Sequence, residues 1–382
     1  MKKRLNYILT GVLSFIVFGC ANVDVDEVNA QKNLPNAVYM EEVESSPMKK
    51  ILLEENGAVA RFSARTANLA QEDVYIAYAV DTTTLNKYNE EHGKNFKILP
   101  SEYFTVERVE DVIQAGSYNT APVKINIKKE AATLNPSYKY AIPVQVSTAN
   151  SMGVLEQSSY QIFALDRILE TSVMRQQGFY MKYTFPNAPV EIKEWTFHYG
   201  MKFDRLFDNQ QPAMGSFYSR ITSNGKLQYK AGGSDDPLAF SKQSLARNTW
   251  YHITFTYKKQ HVKMYINGIL ETEFDVANND NWYKIQASFG NFVGYMRDIR
   301  LYDCALTSDQ IMENLYVEDP TNKHLLVYAP LTKESGLKCS VSKFKENNEP
   351  IHFHSYVSSS SDVPYDEAKI QWTSPVYFPE KK

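Results

Sequence analysis

Three carboxylates stand two residues apart in Glu271-Thr272-Glu273-Phe274-Asp275. On an extended chain alternate residues share a face and lie about 6.5 to 7 Å apart. Carboxyl pairs that cleave glycosidic bonds stand about 5 to 5.5 Å apart in retaining enzymes and about 6.5 to 9.5 Å apart in inverting ones. The spacing therefore permits acid–base hydrolysis. The context offers a plainer role. The run follows Asn267-Gly268, the strongest short hairpin signal because both residues tolerate positive φ. On the return strand of that hairpin, an outward polar face alternating with Leu270, Thr272 and Phe274 is ordinary.

A second set of residues suits binding without chemistry. In "VANNDNWYKIQ", Trp282 and Tyr283 follow Asn279 and Asp280 in a polar loop. A ring beside amides and a carboxylate is the combination that holds a polyhydroxylated ligand, through stacking on apolar C–H faces and hydrogen bonds to hydroxyls. Trp282 at the start of a strand, packed inward, is the competing reading. In "AGGSDDPLAF", Asp235 and Asp236 follow two glycines. They could contact the same kind of ligand or begin a Ca²⁺ site, although two carboxylates fall short of the six to eight oxygens such an ion takes. His352 and His354, two apart in "IHFHSY", face the same way but lack a visible third metal ligand. Glu90, Glu91 and His92 fit a solvated helix end. Trp195 and Trp250 sit inside alternating strands and read as core.

These residues need a frame, and its pattern is period two. "KKILLEENGAVARFSART", "EDVYIAYAVD", "APVKINIKKE", "KYAIPVQVST" and "SSYQIFALDR" alternate as half-buried strands, and Tyr (26) and Phe (20) are abundant. One helix interrupts them in "DTTTLNKYNEEHGKN", with Asp81 or a following Thr as N-cap, Leu85 and Tyr88 on one face, and Gly93 as the stop. The expected fold is mostly β. An Ig-like sandwich with this inserted helix spans 36–166, and a second β-sandwich spans 167–382.

The start of the chain reads as an address. Lys2, Lys3 and Arg4 precede a short apolar stretch ending at Cys20, the layout of a signal peptide over 1–19. Residues 20–35 then form a polar, acidic linker. The whole chain carries 41 cations and 44 acids, a net charge of −3. Removing the signal peptide would make the balance more negative. No run of basic residues stands out, which argues against nucleic acid as a partner. Cys304 and Cys339 are left as a candidate disulfide, a pairing their spacing does not decide.

Family resemblances extend this reading. Val17-Phe18-Gly19-Cys20 resembles a bacterial lipobox, and Asp24, Asp26 and Glu27 resemble a surface-export signal of Bacteroides-type lipoproteins. "LNKYNEEHGKNFKILP", "YFTV", "VIQAGSYNTAPVKINI" and "YKYAIPVQVS" resemble domain of unknown function 1735. "NTWYHITFTYKKQHVKMYINGIL" and "GYMRDIRLYDCALTSDQIMENL" resemble the LamG-like, concanavalin A-type jelly roll. Together they imply a non-catalytic, lipid-anchored outer-membrane protein that holds glycan or glycoprotein at the cell surface. It would work beside a glycosidase and an importer of the same utilisation system. A glycoside hydrolase using the 271–275 carboxylates and an adhesin binding a protein partner are the alternatives.

Overall fold

The computed structural model describes residues 36–380, apart from 45, 137, 149–151, 232–237, 291, 345–351 and 359–362. Cys20, its acidic linker and Asp235 and Asp236 lie outside the described residues. No described helix is long and apolar enough to cross a membrane.

The chain is mostly β, in sandwich-type sheets. In the N-terminal part, the strands Met48–Leu52, Tyr160–Asp166, Tyr140–Thr148, Val74–Val80 and Glu110–Ile113 lie side by side in that order. A sheet of Ala58–Phe62, Val123–Ile127 and Phe104–Val106 accompanies them. Phe62, Phe163, Val123, Ile125 and Ile142 fill the core. The inserted helix is Thr82–His92. Asp81 caps it by accepting from the N–H groups of Thr83 and Thr84, Leu85 and Tyr88 are buried, and Gly93 ends it at φ 60°. Glu90, Glu91 and His92 are exposed at its end.

The C-terminal part is two large facing sheets. One runs, in order, Ile269–Asp275, His261–Ile266, Tyr251–Lys258, Glu194–Phe203, Gly294–Tyr302, Leu325–Ala329 and Val341–Ser342, and Met174–Gln176 also pairs with Gly294–Tyr302. We call it the eight-stranded sheet. The seven-stranded sheet runs Ala239–Ser244, Lys226–Lys230, Tyr218–Ile221, Gln210–Met214, Lys284–Gly290, Tyr180–Thr184 and His354–Tyr356. Their inward residues, including Trp195, Phe197, Tyr199, Ile253, Phe255, Leu227 and Tyr229, form one continuous core. Each such side chain contributes on the order of 1.5–3 kcal/mol when fully buried. The Asn267-Gly268 turn joins Ile266 to Ile269 with φ of 52° and 77°, as the hairpin signal requires.

A helix, Ser308–Glu313, follows the Gly294–Tyr302 strand, and Thr307 and Gln310 form its capping box. This helix and the segment after it meet the N-terminal part. Lys94 pairs with Glu313, and Asn95 donates to Asp319 at 2.6 Å. Lys139 donates to the Glu313 carbonyl at 2.6 Å and to Asn314. Burial pushes Lys139 down to about 8, against the pull of Glu313 and Glu318.

The candidate disulfide is not formed, because Cys304 and Cys339 are both free. Cys339 belongs to the sandwich core, whereas Cys304 packs beside Tyr302, Leu325 and Tyr328 in a separate cluster. Burial raises both thiols, Cys304 to about 11 with help from Asp303 and Glu194, and Cys339 to about 12.

Candidate functional site

The polar loop before Trp282 is a structural tie. Asn279 is buried, its carbonyl accepts from Trp195 Nε1 at 3.1 Å, and its amide Nδ2 donates to Tyr229 Oη at 2.6 Å. Tyr257 Oη donates to Asp280 Oδ1 at 2.7 Å. With the loop pinned by three aromatic side chains, Trp282 turns inward. It is fully buried and meets Trp195 edge-on, with ring centroids 5.3 Å apart. Gly215 leaves the space for it, since a Cβ there would lie 2.1 Å from Trp282 Cζ3. Trp282 is thus core, which corrects the expectation of a stacking platform; Asn279 is likewise committed to the frame. Tyr283 is exposed. Asp280 reaches a shallow cleft of about 460 Å³ lined with Lys193, Glu194, Tyr257, Lys259 and Gln260. That cleft has polar groups, but its one aromatic wall, Tyr257, is itself buried.

The three carboxylates do not form one face. A register shift between Met264 and Tyr265 leaves Glu271 without a partner across the strand, a β-bulge that a strict period of two does not anticipate. Glu271 is buried and accepts from the backbone N–H groups of Lys242 and Gln243 at 2.9 and 3.1 Å, and from Gln243 Nε2 at 2.6 Å. Glu273 pairs with Lys263 at 3.1 Å, and hydrogen bonds from Lys263 and His261 hold its carboxyl below the usual range. Asp275 pairs with His261 at 2.7 Å. A general acid at neutral pH needs a raised carboxyl, the opposite of what Glu273 shows.

The open polar surface lies elsewhere, on the outer face of the seven-stranded sheet. Strand alternation that sends Ile221, Leu227, Tyr229 and Ala239 inward sends their neighbours out. Arg220, Gln228 and Phe240 are then direct neighbours across three strands, and Tyr218 stands opposite Lys230. Phe240 is 44% exposed. Arg220 Nε donates to Gln228 Oε1, and Asp208 stands 3.9 Å from the same guanidinium. Tyr218 Oη donates to Asn209 and accepts from Gln211 Nε2 at 3.2 Å. Across the sheet, Tyr180 and Tyr356 stack at 5.3 Å, with Lys182 Nζ 4.9 Å from the Tyr356 ring centre. Phe240 ends the "AGGSDDPLAF" segment, where sequence reading singled out Asp235 and Asp236 instead. Those two acids belong to the connection leading into the Phe240 strand, outside the described residues, and the Ca²⁺ reading rests on them.

Other donor groups are occupied with each other. Beneath the 308–321 segment, the outer face of the eight-stranded sheet buries His198, His252, Arg297, Asp298 and Arg300. Arg300 donates to Asp298 through Nε at 2.7 Å and Nη2 at 2.5 Å, and lies 3.6 Å from Glu318. Burial opposes its charge, yet Asp298 and Glu318 hold the Arg300 guanidinium well above its usual range. Burial and the two arginines push His198 well below its ordinary value, and burial does the same to His252. His198, His252 and Asp298 are close enough to share an ion, as are Asp303, Cys304 and His324. Two arginines oppose a cation at the first set. At the second, His324 Nδ1 lies 2.8 Å from Asp303 Oδ1 and Lys343 lies 3.8 Å from Asp303. His352 and His354 have rings 4.5 Å apart.

Residues 180–312 match the model of the concanavalin A-like lectin/glucanases superfamily, so the C-terminal part carries a domain of that superfamily. Residues 32–153, read from sequence as domain of unknown function 1735, match a family model for an N-terminal domain. Among solved structures, a Bacteroides ovatus protein provisionally described as carbohydrate binding aligns with 88% of this chain and 97% of its own, at 19% identity and a TM-score of 0.54. That likeness extends the shared fold over both domains. A pentraxin of Limulus polyphemus aligns with 38% of this chain and 81% of its own, at 13% identity and a TM-score of 0.32. Bacteroides thetaiotamicron EndoBT-3987, solved with a Man5GlcNAc product, aligns with 34% of this chain and 30% of its own, at 18% identity and a TM-score of 0.28. No curated protein matches the chain.

Proposed function

We propose that the protein is a non-catalytic glycan-binding lipoprotein, with its binding surface on the outer face of the seven-stranded sheet. The observation that carries this reading is the row Arg220, Gln228 and Phe240. It sets an exposed ring on rigid neighbouring strands near a guanidinium that the buried Gln228 amide holds in place. A sugar ring stacks its C–H face on Phe240 while its hydroxyls exchange hydrogen bonds with Arg220 and the Tyr218 hydroxyl. Strands hold such groups more firmly than a loop does. The superfamily of the domain and the two-domain likeness to the Bacteroides ovatus protein support the same ligand class.

The lipid anchor at Cys20 would hold this surface at the outer membrane, and clustering there would add avidity to a wet, weak single site. The glycan would then pass to a glycosidase and an importer of the same system. A glycan array followed by analysis of reducing ends tests the function. Retention without new reducing ends supports binding; new reducing ends would establish the hydrolase, and a protein captured with no glycan retained would establish the adhesin. Mass spectrometry of the mature N-terminus tests the anchor, which requires a lipid-modified Cys20.

A further inference from the structure

The strands of the seven-stranded sheet contain no aspartate or glutamate at all. They contain six cations: Lys182, Arg220, Lys226, Lys230, Lys242 and Lys284. Alternation puts them on the outer face, because their strand neighbours Met181, Ile221, Leu227, Tyr229, Ser241 and Ile285 are buried. All this occurs in a chain whose net charge is −3. The six cations are scattered over five strands, from Lys182 to Lys284, so no basic run announces them. Asp208, reaching Arg220 from a loop at 3.9 Å, is a carboxylate that offsets part of the charge.

We infer that the preferred ligand is an acidic polysaccharide, one carrying uronate carboxylates or sulfate esters. This rests on the reading of the same face as a glycan platform and specifies which glycans it takes. A neutral sugar would strip water from the ammonium groups and return only weak hydroxyl contacts. Carboxylate or sulfate returns charge-assisted hydrogen bonds, which are shorter and about twice as strong. Seven strands spaced about 4.8 Å apart span roughly 29 Å, room for several sugar units. Cations toward both ends, Arg220, Lys226, Lys230 and Lys242 on one side and Lys182 and Lys284 on the other, would meet acidic groups repeated along the chain. The exposed ring of Phe240 lies among them, so the surface is more than a layer of charge. That ring favours the face of a sugar and sets this surface apart from a diffuse basic patch.

The experiment compares matched polymers by calorimetry: polygalacturonate with its methyl ester, and dextran sulfate with dextran, each at about 50 and 300 mM NaCl. The acidic member of at least one pair should bind about tenfold tighter at low salt, with the margin shrinking at high salt. Lys182→Gln with Lys230→Gln should remove most of that margin, while Phe240→Ala should weaken acidic and neutral polymers alike. A melting curve on each variant confirms that it is folded. Neutral polymers binding as tightly as acidic ones would overturn the acidic preference and leave the glycan reading standing. Failure of every glycan to bind would overturn both. A single-stranded oligonucleotide bound as tightly as the acidic polymers, with Phe240→Ala without effect, would also overturn the inference, since the face would then act on charge alone.

Discussion

The two sheets of the C-terminal sandwich follow one rule and reach opposite ends. Each points apolar side chains at the shared core, and each carries polar residues on its outer face. On the eight-stranded sheet that outer face is covered by the 308–321 segment and Phe378, and its charges are of both signs. Arg300 and Asp298, with Glu318 beyond, satisfy one another there. On the seven-stranded sheet the outer face is open and its strand charges are of one sign. A covered polar face must balance itself, because an unpaired buried charge costs several kcal/mol. An open face has no such requirement and can carry charge of one sign. The comparison therefore separates polar residues that hold the fold from those that meet a partner.

The sharpest way to break the comparison is to make one substitution on each face. Arg300→Met should cost about 3–5 kcal/mol, because Asp298 and Glu318 are left buried without their partner. Arg220→Met on the open face should change stability by no more than about 0.5 kcal/mol. Urea unfolding of both variants reads the difference, and equal losses would erase the distinction.

Acid should act on the covered face next. His198 and His252 are held neutral when folded, with values well below 6.5, and take up protons on unfolding. The unfolded state thus binds more protons as pH falls below about 6.5, and stability drops there by up to about 1.4 kcal/mol per pH unit for each histidine. Denaturation followed from pH 7.5 to 5 should show this slope, and His198→Gln with His252→Gln should flatten it. A level profile in the wild type would contradict the buried neutral pair.

Packing effects should be smaller. Gly215→Ala would push into the Trp282 ring and should cost about 1–3 kcal/mol, with a red-shifted tryptophan emission as the ring gains water. Reducing agent should leave Tm unchanged, since a bridge between Cys304 and Cys339 would be worth about 2–5 kcal/mol and the structure has none. A Tm that falls on reduction would restore the disulfide. The smallest stability effect belongs to Phe240→Ala, within about 0.5 kcal/mol.

Much of the frame was legible in the sequence because local chemistry dictates it. Asp81, Leu85, Tyr88 and Gly93 define their helix within thirteen residues, and Asn267-Gly268 fixes its hairpin alone. The site was less legible because its determinants are distant in sequence. Asn279 looked like a ligand contact until Tyr229 and Trp195, fifty and eighty-four positions away, claimed its polar groups. Glu271 left the face of Glu273 and Asp275 through a bulge that composition does not mark. The cationic face escaped a search for basic runs because its members alternate with core residues on separate strands. Listing the residues that alternate with buried ones, strand by strand, would have found Arg220, Lys230 and Phe240 together.

The most direct test titrates one glycan against two folded proteins, the wild type and Phe240→Ala, with unfolding curves on the same samples. The account predicts indistinguishable stability and about tenfold weaker binding in the variant, since a stacking ring contributes on the order of 1–1.5 kcal/mol. Unchanged glycan affinity in a folded Phe240→Ala protein would contradict the claim that the open face of the seven-stranded sheet is where this protein meets its ligand.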